Sequence, residues 1–411
     1  MLATTNGQGQ RKLESWIDQF IRYTDSVETP SLFRKWSAIA TIAAVLEQKV
    51  WLKTSSEMYP NLYTGMIGTP GAGKTRIISE VSKVLQALPE PFIAPTSVNS
   101  ASLVDNLVEC RRILPQHPGP AIEYNSMVLL ADELGAFMHE YEMGLIAELT
   151  SFYDVTALPY GQRRRGGNLK IKIDRPQLNI LFGSTPSNLA KFMPEAAWSQ
   201  GFASRIIFVY ANEKVIVDDF NIPLRKAPKD LIHDLNIING LVGQFQATPD
   251  YGAAIKAWRD SGEQPRPTHP RLLHYCARRK AHLYRLSMVS SVDRSNSLVL
   301  TKADLDKAME WLFEAEATMS HIFDQGDSPQ GAVMDEAYHY IQQNGSVEER
   351  NLVAFLRHKL PTNAILETMR IMEQSGMIVS RKNGRFGKAF TVAAPIDTSP
   401  DELPGLPPPV Q

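Results

Sequence analysis

Cysteine is scarce and long apolar runs are missing. The only cysteines among the 411 residues, Cys110 and Cys276, lie far apart and outside any metal-spaced cluster, which predicts reduced thiols and argues against a zinc site or disulfide scaffold. The longest apolar stretch, 38–46, is too short to span a bilayer. Residues 1–12 are polar and lack the apolar segment of a secretory signal. We therefore expect a cytoplasmic protein with no membrane partner.

The chain also lacks an excess of charge of either sign. Lys and Arg number 43 against 44 Asp and Glu, which gives a formal net charge of −1. This balance excludes a polycation, so any binding of nucleic acid depends on local basic patches. The hydrophobic fraction of 43% is that of an ordinary globular protein, and the length allows two or three domains.

The most informative motif is GTPGAGKT at residues 68–75, which fits the phosphate-binding pattern G-x-x-x-x-G-K-[ST]. A buried strand is predicted at 62–67 and a helix at 76–88, an order that aims backbone N–H groups at a β/γ-phosphate. A chance match in a glycine-rich turn is the alternative. Lys74 can reach phosphate oxygens, and the Thr75 hydroxyl can bind Mg²⁺. The predicted ATP-binding residues are Gly68, Thr69, Pro70, Gly71, Ala72, Gly73, Lys74, Thr75 and Arg76.

A second acidic motif follows an apolar run at 127–131. Asp132 stands at the end of this predicted strand, where a carboxylate can hold Mg²⁺ through its water shell. Glu133 is placed to orient and polarise an attacking water. Paired acids are common on surfaces, but downstream of the glycine loop they predict ATP hydrolysis.

ATP hydrolysis also calls for a polar side chain at the tip of the strand that lies between the predicted strands 62–67 and 127–131. The run at 178–183 ends in STPSN, and Thr185 is the first choice for sensing the γ-phosphate, with Asn188 second. A simple turn capped by Ser187 or Asn188 is an equal alternative.

Arg205 precedes another apolar run, 206–210, and is predicted to reach a neighbouring subunit's nucleotide as an arginine finger. A salt-bridged surface arginine is the alternative. Three arginines of a predicted helix over 271–289 are further candidates for nucleotide contact, and Arg285 is slightly favoured over Arg278 and Arg279.

Composition and periodicity divide the chain into five predicted parts. They are an amino-terminal helical region (1–54), an α/β core with a mostly parallel sheet between helices (55–222), a helical lid (223–326), a winged helix-turn-helix (330–393) and a disordered tail (394–411). Helices are also predicted at 100–113 and 302–323, the second with Thr301 and Asp304 at its start.

The order of these motifs resembles the AAA+ P-loop ATPases. The phrases YPNLYTGMIGTPGAGKT, GFASRIIFVY and LFRKWSAIATIAAVLEQKVWLK are similar to ATPases of phages and mobile elements, related to superfamily III helicases and primase-helicase proteins. The resemblance covers about residues 13–323. It implies ring hexamers that hydrolyse ATP at subunit interfaces in a bacterial or phage-infected host cell. Superfamily III helicases usually carry Asn at the strand tip, where this chain has Thr185.

Two local basic patches are predicted to contact DNA. Arg163, Arg164 and Arg165 lie between possible strands at 155–158 and 169–173, and superfamily III-like ATPases carry a hairpin at this position that points into the ring channel. A solvated charged turn is the alternative. The second patch is the predicted wing, with Arg381, Lys382, Arg385 and Lys388. The third helix of the winged helix-turn-helix carries three further residues that could face DNA, namely Asn363, Thr368 and Arg370.

The sequence thus predicts an ATP-dependent DNA translocase or helicase of phage or mobile-element replication. It would be a homo-oligomer, a hexamer by the resemblance, with ATP and Mg²⁺ bound and single-stranded DNA in its channel. A helicase loader or replication initiator with a helicase partner is the first alternative. A DNA-binding regulator that selects a duplex site through the winged helix is the second.

Overall fold

The structure is a computed structural model. It describes residues 9–89, 92–95, 98–115, 119–138, 143–155, 160–163, 170–193, 197–198, 201–217, 228–324, 329–374, 378–383 and 387–392. The chain divides into two compact units, Met1–Phe323 and Asp324–Gln411. Both contain helices and sheet, and most strands of the larger sheet of the first unit are parallel, so the fold class is α/β.

The helices of the first unit are α1 Trp16–Tyr23, α2 Ser31–Leu46, α3 Lys74–Gln86, α4 Ser100–Glu109, α5 Met143–Tyr153, α6 Pro186–Phe192, α7 Lys229–Asn239, α8 Pro249–Asp260, α9 Leu273–Cys276, α10 Arg279–Arg294, α11 Lys302–Met319 and α12 His321–Asp324. Its strands are β1 Val50–Lys53, β2 Glu57–Met58, β3 Tyr63–Ile67, β4 Arg111–Leu114, β5 Ile122–Ala131, β6 Tyr160–Arg163, β7 Lys170–Ile173, β8 Pro176–Ser184, β9 Ile206–Tyr210, β10 Gly243–Ala247 and β11 Val299–Leu300.

The larger sheet has the strand order β4-β5-β8-β3-β9. β5, β8, β3 and β9 run parallel, and β4 pairs antiparallel with β5 at one edge. Every residue of β3, β8 and β9 is buried, as expected of strands covered on both faces. β8 lies between β5 and β3, so the carboxyl ends of these three strands meet at one edge of the sheet.

A second sheet corrects the prediction of a purely helical lid. Its order is β11-β10-β1-β2, and β10 pairs parallel with β1 through Val50 and Gly243. Phe245 is the single buried residue of β10, so the segment carries no apolar periodicity that would predict a strand. Pairing with β1, which is distant in sequence, determines its conformation.

The amino-terminal helices pack within the first unit rather than apart from it. α2 is apolar on nearly every side, and it contacts α3, β3, β8, α7 and α10. The carboxylate of Asp234 in α7 accepts hydrogen bonds from the backbone N–H of Lys12 at 2.9 Å and of Leu13 at 2.8 Å. These bonds attach the segment before α1 to the 228–324 region. The predicted boundaries at 54 and 222 stay predictions.

Three predicted helices have different ends in the structure. The helix predicted over 100–113 stops at Glu109, because Arg111–Leu114 pairs with β5 instead. The helix predicted over 271–289 is broken at 277–278 into α9 and α10, and α10 continues to Arg294. The predicted start at Thr301 is confirmed by a capping box with Asp304, whereas α11 ends at Met319.

The second unit contains α13 Pro329–Asn344, β12 Val347–Glu348, α14 Glu349–Arg357, α15 Thr362–Gln374, β13 Ile378–Asn383 and β14 Gly387–Val392. Its strands form an antiparallel sheet of order β12-β14-β13. The three helices and the final strand pair follow the order predicted from the sequence, and the short β12 is an addition. Among the helices that the structure describes, none is long and apolar enough to cross a membrane.

Candidate nucleotide site

The glycine-rich segment 68–73 joins β3 to α3 without an intervening element. Flanking chain segments hold its start: Gly68 N–H donates to Ser184 O at 3.1 Å, and Ala211 N–H donates to Ile67 O at 3.1 Å. The segment therefore leaves the sheet at the same edge where β5 and β8 end. A parallel strand, a glycine-rich turn and a helix in this order place backbone N–H groups around one point.

Two glycines in the loop are required by close contacts. Gly73 has φ +73°, and a Cβ there would lie 1.8 Å from Glu28 O. A Cβ at Gly68 would lie 2.4 Å from Ala211 O. Gly71 also has a positive φ, but a Cβ there would meet no atom within 4 Å, so this side of the loop is open. An open glycine side is what a phosphate group needs for close approach.

Lys74 lies underneath this loop. Its side chain is buried, and Nζ donates to Gly68 O at 2.8 Å and Thr69 O at 2.9 Å. Burial lowers the pKa of Lys74, while the charge of Glu133 acts in the opposite direction. The amine thus contacts carbonyl dipoles, and among the described residues no carboxylate lies within ion-pair distance of it. An anion above the loop fits this arrangement. Thr75 and Arg76 are exposed, and Arg76 forms an ion pair with Glu28.

Asp132 and Glu133 lie beside the loop because β5 ends next to β8. A Cβ at Gly183 of β8 would lie 2.6 Å from Asp132 O and 3.2 Å from the Cβ of Lys74, so glycine is needed for the two segments to meet. Asp132 is exposed, and partial burial raises its pKa. The carboxyl end of the sheet therefore brings the segment that carries the two acids beside Lys74.

Two donors hold the Glu133 carboxylate. Ser184 Oγ donates to Glu133 Oε1 at 3.2 Å, and Asn188 Nδ2 donates to the same oxygen at 3.1 Å. Thr185, the first sequence choice for the strand tip, instead caps α6 by accepting from Asn188 N–H at 3.2 Å. Of the two predicted candidates, the structure therefore brings Asn188 to Glu133. Ser184, which the sequence reasoning missed, is buried at the end of β8.

The loop between α1 and α2 supports the glycine-rich segment from the other side. Thr29 Oγ1 donates to Ala72 O at 3.3 Å, and Glu28 supplies the carbonyl that Gly73 approaches. Sequence reasoning missed both residues, because no pattern connects positions so far from the motif. The amino-terminal region is therefore part of the site's support.

Arg205 lies at the opposite edge of the sheet, in a 3₁₀ turn immediately before β9. It is 8% exposed, pairs with the Asp154 carboxylate and donates from Nη1 to Gly201 O at 2.7 Å. The salt bridge that the sequence left as the alternative is therefore present, although the side chain is buried rather than on the surface. Its predicted finger role stays a prediction.

The three arginines predicted near the lid have separate surroundings. Arg279 is fully buried and pairs with Glu316 at 2.7 Å. Arg285, the slightly favoured candidate, is buried with its guanidinium 4.2 Å from the ring centroid of Tyr153. Arg278 is half-buried and pairs with Asp154 at 3.3 Å. None of these contacts is with the glycine-rich loop, because α10 begins near the other edge of the sheet.

The basic hairpin is present, but its first strand is displaced from the prediction. β6 and β7 pair antiparallel, with Tyr160 opposite Ile173 and Arg163 opposite Lys170. Arg163 therefore lies within a strand rather than in the turn, because the pairing starts at Tyr160. Arg164 and Arg165 lie outside the described residues. The hairpin is anchored at its base, where Tyr160 Oη donates to Glu148 of α5 at 2.7 Å.

In the second unit, Arg381 of β13 and Lys388 of β14 are exposed, and Lys382 and Lys388 are cross-strand partners. Arg385 lies outside the described residues. Thr368, proposed from the sequence to face DNA, is fully buried and donates to Ala364 O at 2.8 Å, so that idea is wrong. Its hydroxyl is used within α15.

The residues that the structure describes contain no group of three or more His, Cys, Asp or Glu side chains suited to a metal ion. Thr75 and Asp132 are the residues beside the loop that could hold a Mg²⁺ ion, with phosphate and water oxygens as its other ligands. Comparison with known proteins found no matching family model and no matching curated protein.

Proposed function

We propose that this chain is an AAA+ type P-loop ATPase that translocates on or unwinds DNA during replication of a phage or mobile element. One observation carries the proposal. The glycine-rich loop, the buried Lys74 and a Glu133 held by Ser184 and Asn188 converge at one edge of a parallel sheet. This is the set of groups that phosphate binding and water activation require together.

Different residues of the site would bind the phosphates, hold Mg²⁺ and orient the attacking water. N–H groups of residues 68–75 and the amine of Lys74 would bind the β/γ-phosphates, and Thr75 with Asp132 would hold Mg²⁺. When bound, Mg²⁺ neutralises phosphate charge. Glu133 would orient the attacking water, with its carboxylate fixed by the two donors on one oxygen and its other oxygen left for the water.

The proposed assembly is a homo-oligomeric ring, a hexamer by the resemblance above. Arg205 precedes β9, where Ile206 is aligned with Tyr63, while the loop follows Ile67, which is aligned with Tyr210. A strand of this length spans about 16 Å, so Arg205 lies far from the loop of its own subunit. This separation supports action on a neighbouring copy's nucleotide.

DNA contacts are proposed for the hairpin arginines Arg163, Arg164 and Arg165 and for the pair β13–β14, which with three helices supports a winged-helix assignment. Arg381 and Lys388 are exposed, so their positive charges lie on the surface of the second unit. A phosphate backbone would compensate them. ATP-driven movement of the hairpin would then advance single-stranded DNA.

Unwinding of a forked DNA duplex tests this function. Wild type should displace a strand with ATP, whereas Lys74→Ala and Glu133→Gln should not. ATP hydrolysis without strand displacement by wild type would contradict the motor and favour the alternative below.

The alternative is a helicase loader or initiator, and one observation favours it. The exposed face of α15 carries Leu366, Glu367, Arg370 and Glu373, and Leu366 is 68% exposed. A helix that enters the major groove is usually basic, whereas this face carries one exposed leucine and a formal charge of −1. Such a face suits a protein partner, for which a replicative helicase is the candidate.

A further inference from the structure

A single carboxylate lies among three arginines at the amino edge of the larger sheet. Asp154 follows α5, and its two oxygens pair with Arg205 and Arg278. The guanidinium of Arg285 stacks on Tyr153, the residue before Asp154, at 4.2 Å. Arg205 is also 5.9 Å from the same ring centroid. We refer to Asp154, Arg205, Arg278 and Arg285 as the arginine cluster.

The arginine cluster holds more positive charge than it neutralises. Three guanidinium groups face one carboxylate, a formal excess of +2. The Nε atoms of Arg205 and Arg285 are buried and have no hydrogen-bond partner among the described residues. Buried donors without a partner are unfavourable, and more so when they belong to a charged group. The surplus charge and the unused donors both favour binding of another anion.

Arg278 and Asp154 form the more exposed part of the cluster. The side chains of Asp154 and Arg278 are 36% and 29% exposed, whereas that of Arg205 is 9% exposed. An anion arriving from outside would therefore meet Arg278 and Asp154 first. The start of α10 lies here as well, with Arg278 at its N-cap position, and its N–H groups add favourable potential for an anion. The glycine-rich loop of the same subunit is at the other edge of the sheet.

We propose that Arg278 acts together with Arg205 on the terminal phosphate of a nucleotide bound by an adjacent copy of this chain, and that Asp154 is the resident counter-ion which that phosphate displaces. This inference rests on the proposed ATPase function. In the separate subunit, Asp154 pairs with both arginines, and Arg205 stays buried. In the assembly, a γ-phosphate with its larger charge replaces the carboxylate, and bidentate arginine contacts favour that exchange.

Mixing of two inactive variants tests the role of Arg278. Arg278→Ala should lower kcat by about 10-fold or more and leave ATP affinity at its own loop unchanged, because Arg278 lies at the opposite edge. Adding Lys74→Ala subunits, which supply an intact Arg278, should restore ATPase to about one quarter of wild type, since about one interface in four then pairs the two intact halves. Arg294→Ala, at the other end of α10, is the matched control and should retain wild-type activity.

A second variant tests the role of Asp154. Asp154→Asn keeps the shape of the side chain but removes the charge that holds the two arginines. It should lower the protein concentration needed for half-maximal ATPase by about threefold or more, because assembly no longer competes with the internal ion pair. Lower ATPase at every protein concentration would overturn the counter-ion role.

The outcomes separate this inference from the proposed function. If wild type hydrolyses ATP but the mixture of Arg278→Ala and Lys74→Ala regains no activity, the inference fails and the ATPase stands. If Arg278→Ala weakens ATP binding in its own subunit, the proposed action of Arg278 on the nucleotide of an adjacent copy is again wrong. If wild type neither binds nor hydrolyses ATP, both proposals fail.

Discussion

Glu133 has a defined orientation because Ser184 and Asn188 donate to the same carboxylate oxygen. The sequence placed Glu133 directly after a predicted strand, because an acidic pair after an apolar run is a local pattern, and in the structure Glu133 follows β5. The sequence did not predict which polar residues hold Glu133. Thr185 was the first choice, but its side chain caps α6 instead.

Substitution of the two strand-tip residues should therefore have different effects. Asn188→Ala should lower kcat for ATP about 10-fold with little change in KM, because Glu133 loses a donor that orients it. Thr185→Ala should cost about 1 kcal/mol of stability, the value of a helix N-cap, and leave kcat within about twofold. Steady-state kinetics and urea unfolding measure both. A larger kcat loss for Thr185→Ala than for Asn188→Ala would show the assignment to be wrong.

His282 gives the first unit a pH dependence. The ring is fully buried, and Nε2 lies 3.0 Å from Ser204 O, so Nε2 carries the proton, while Nδ1 accepts from Tyr153 Oη at 3.3 Å. Burial lowers the pKa of His282 to about 3. The unfolded chain binds this proton below about pH 6.5 and the folded chain does not, so stability is present above that pH and falls as the pH decreases.

Between pH 7.5 and 5.5 this residue should remove about 1.3 kcal/mol from the free energy of unfolding. Urea unfolding of wild type and His282→Gln at the two pH values measures it. The variant is expected to be less stable overall but to lose about 1.3 kcal/mol less between the two conditions. Equal pH dependence in both proteins would exclude His282 as the source.

At the scale of elements, the amino-terminal segment and α7 are held together by one buried acid. Asp234 is fully buried and accepts from the backbone of Lys12 and Leu13, with His233 beside it. Burial alone would raise the pKa of Asp234, but the hydrogen bonds from His233, Lys12 and Leu13 lower it overall. The segment before α1 is therefore attached to α7 by interactions that the sequence does not signal.

Asp234→Ala should destabilise the first unit by about 3 kcal/mol, because two backbone N–H groups lose their acceptor in a buried place. Asp230→Ala on the same helix is the control. It removes an exposed pair with Lys12, whose side chains are 50% and 53% exposed, and should cost no more than about 0.5 kcal/mol. Denaturant unfolding compares them, and equal losses would argue against the attachment.

Elements with a continuous local signal were predicted well. The runs at 178–183 and 206–210 became β8 and β9, since each is apolar throughout and buried on both faces. β4 and β10 were missed because their few buried residues give no period, and their conformation depends on pairing with β5 and β1. The carboxyl edge of the sheet was thus predictable, whereas the arginine cluster at the other edge was not.

At the scale of the whole molecule, the chain consists of two compact units, Met1–Phe323 and Asp324–Gln411. The candidate nucleotide site and the arginine cluster lie in the first, and the basic strand pair β13–β14 lies in the second. A core of its own fills the second unit, with Leu352, Leu356 and Phe390 among its buried residues. Hydrolysis and partner binding are therefore expected to be separable.

A chain of residues 1–323 should fold and hydrolyse ATP within about twofold of the full chain, because each unit has its own core. It should lose the binding of duplex DNA or of a protein partner that the second unit supplies. Calorimetry, ATPase assays and duplex binding check this. Loss of the folded state or of ATPase on removal of 324–411 would contradict the assignment of hydrolysis to the first unit alone.

The most direct measurement of the central claim is ATP binding and single-turnover ATP hydrolysis by wild type, Lys74→Ala and Glu133→Gln. We expect wild type to bind and hydrolyse ATP, Lys74→Ala to lose binding, and Glu133→Gln to bind ATP within about threefold of wild type but hydrolyse it at least about 100-fold more slowly. Hydrolysis by Glu133→Gln at the wild-type rate, or no ATP binding by wild type, would contradict the account.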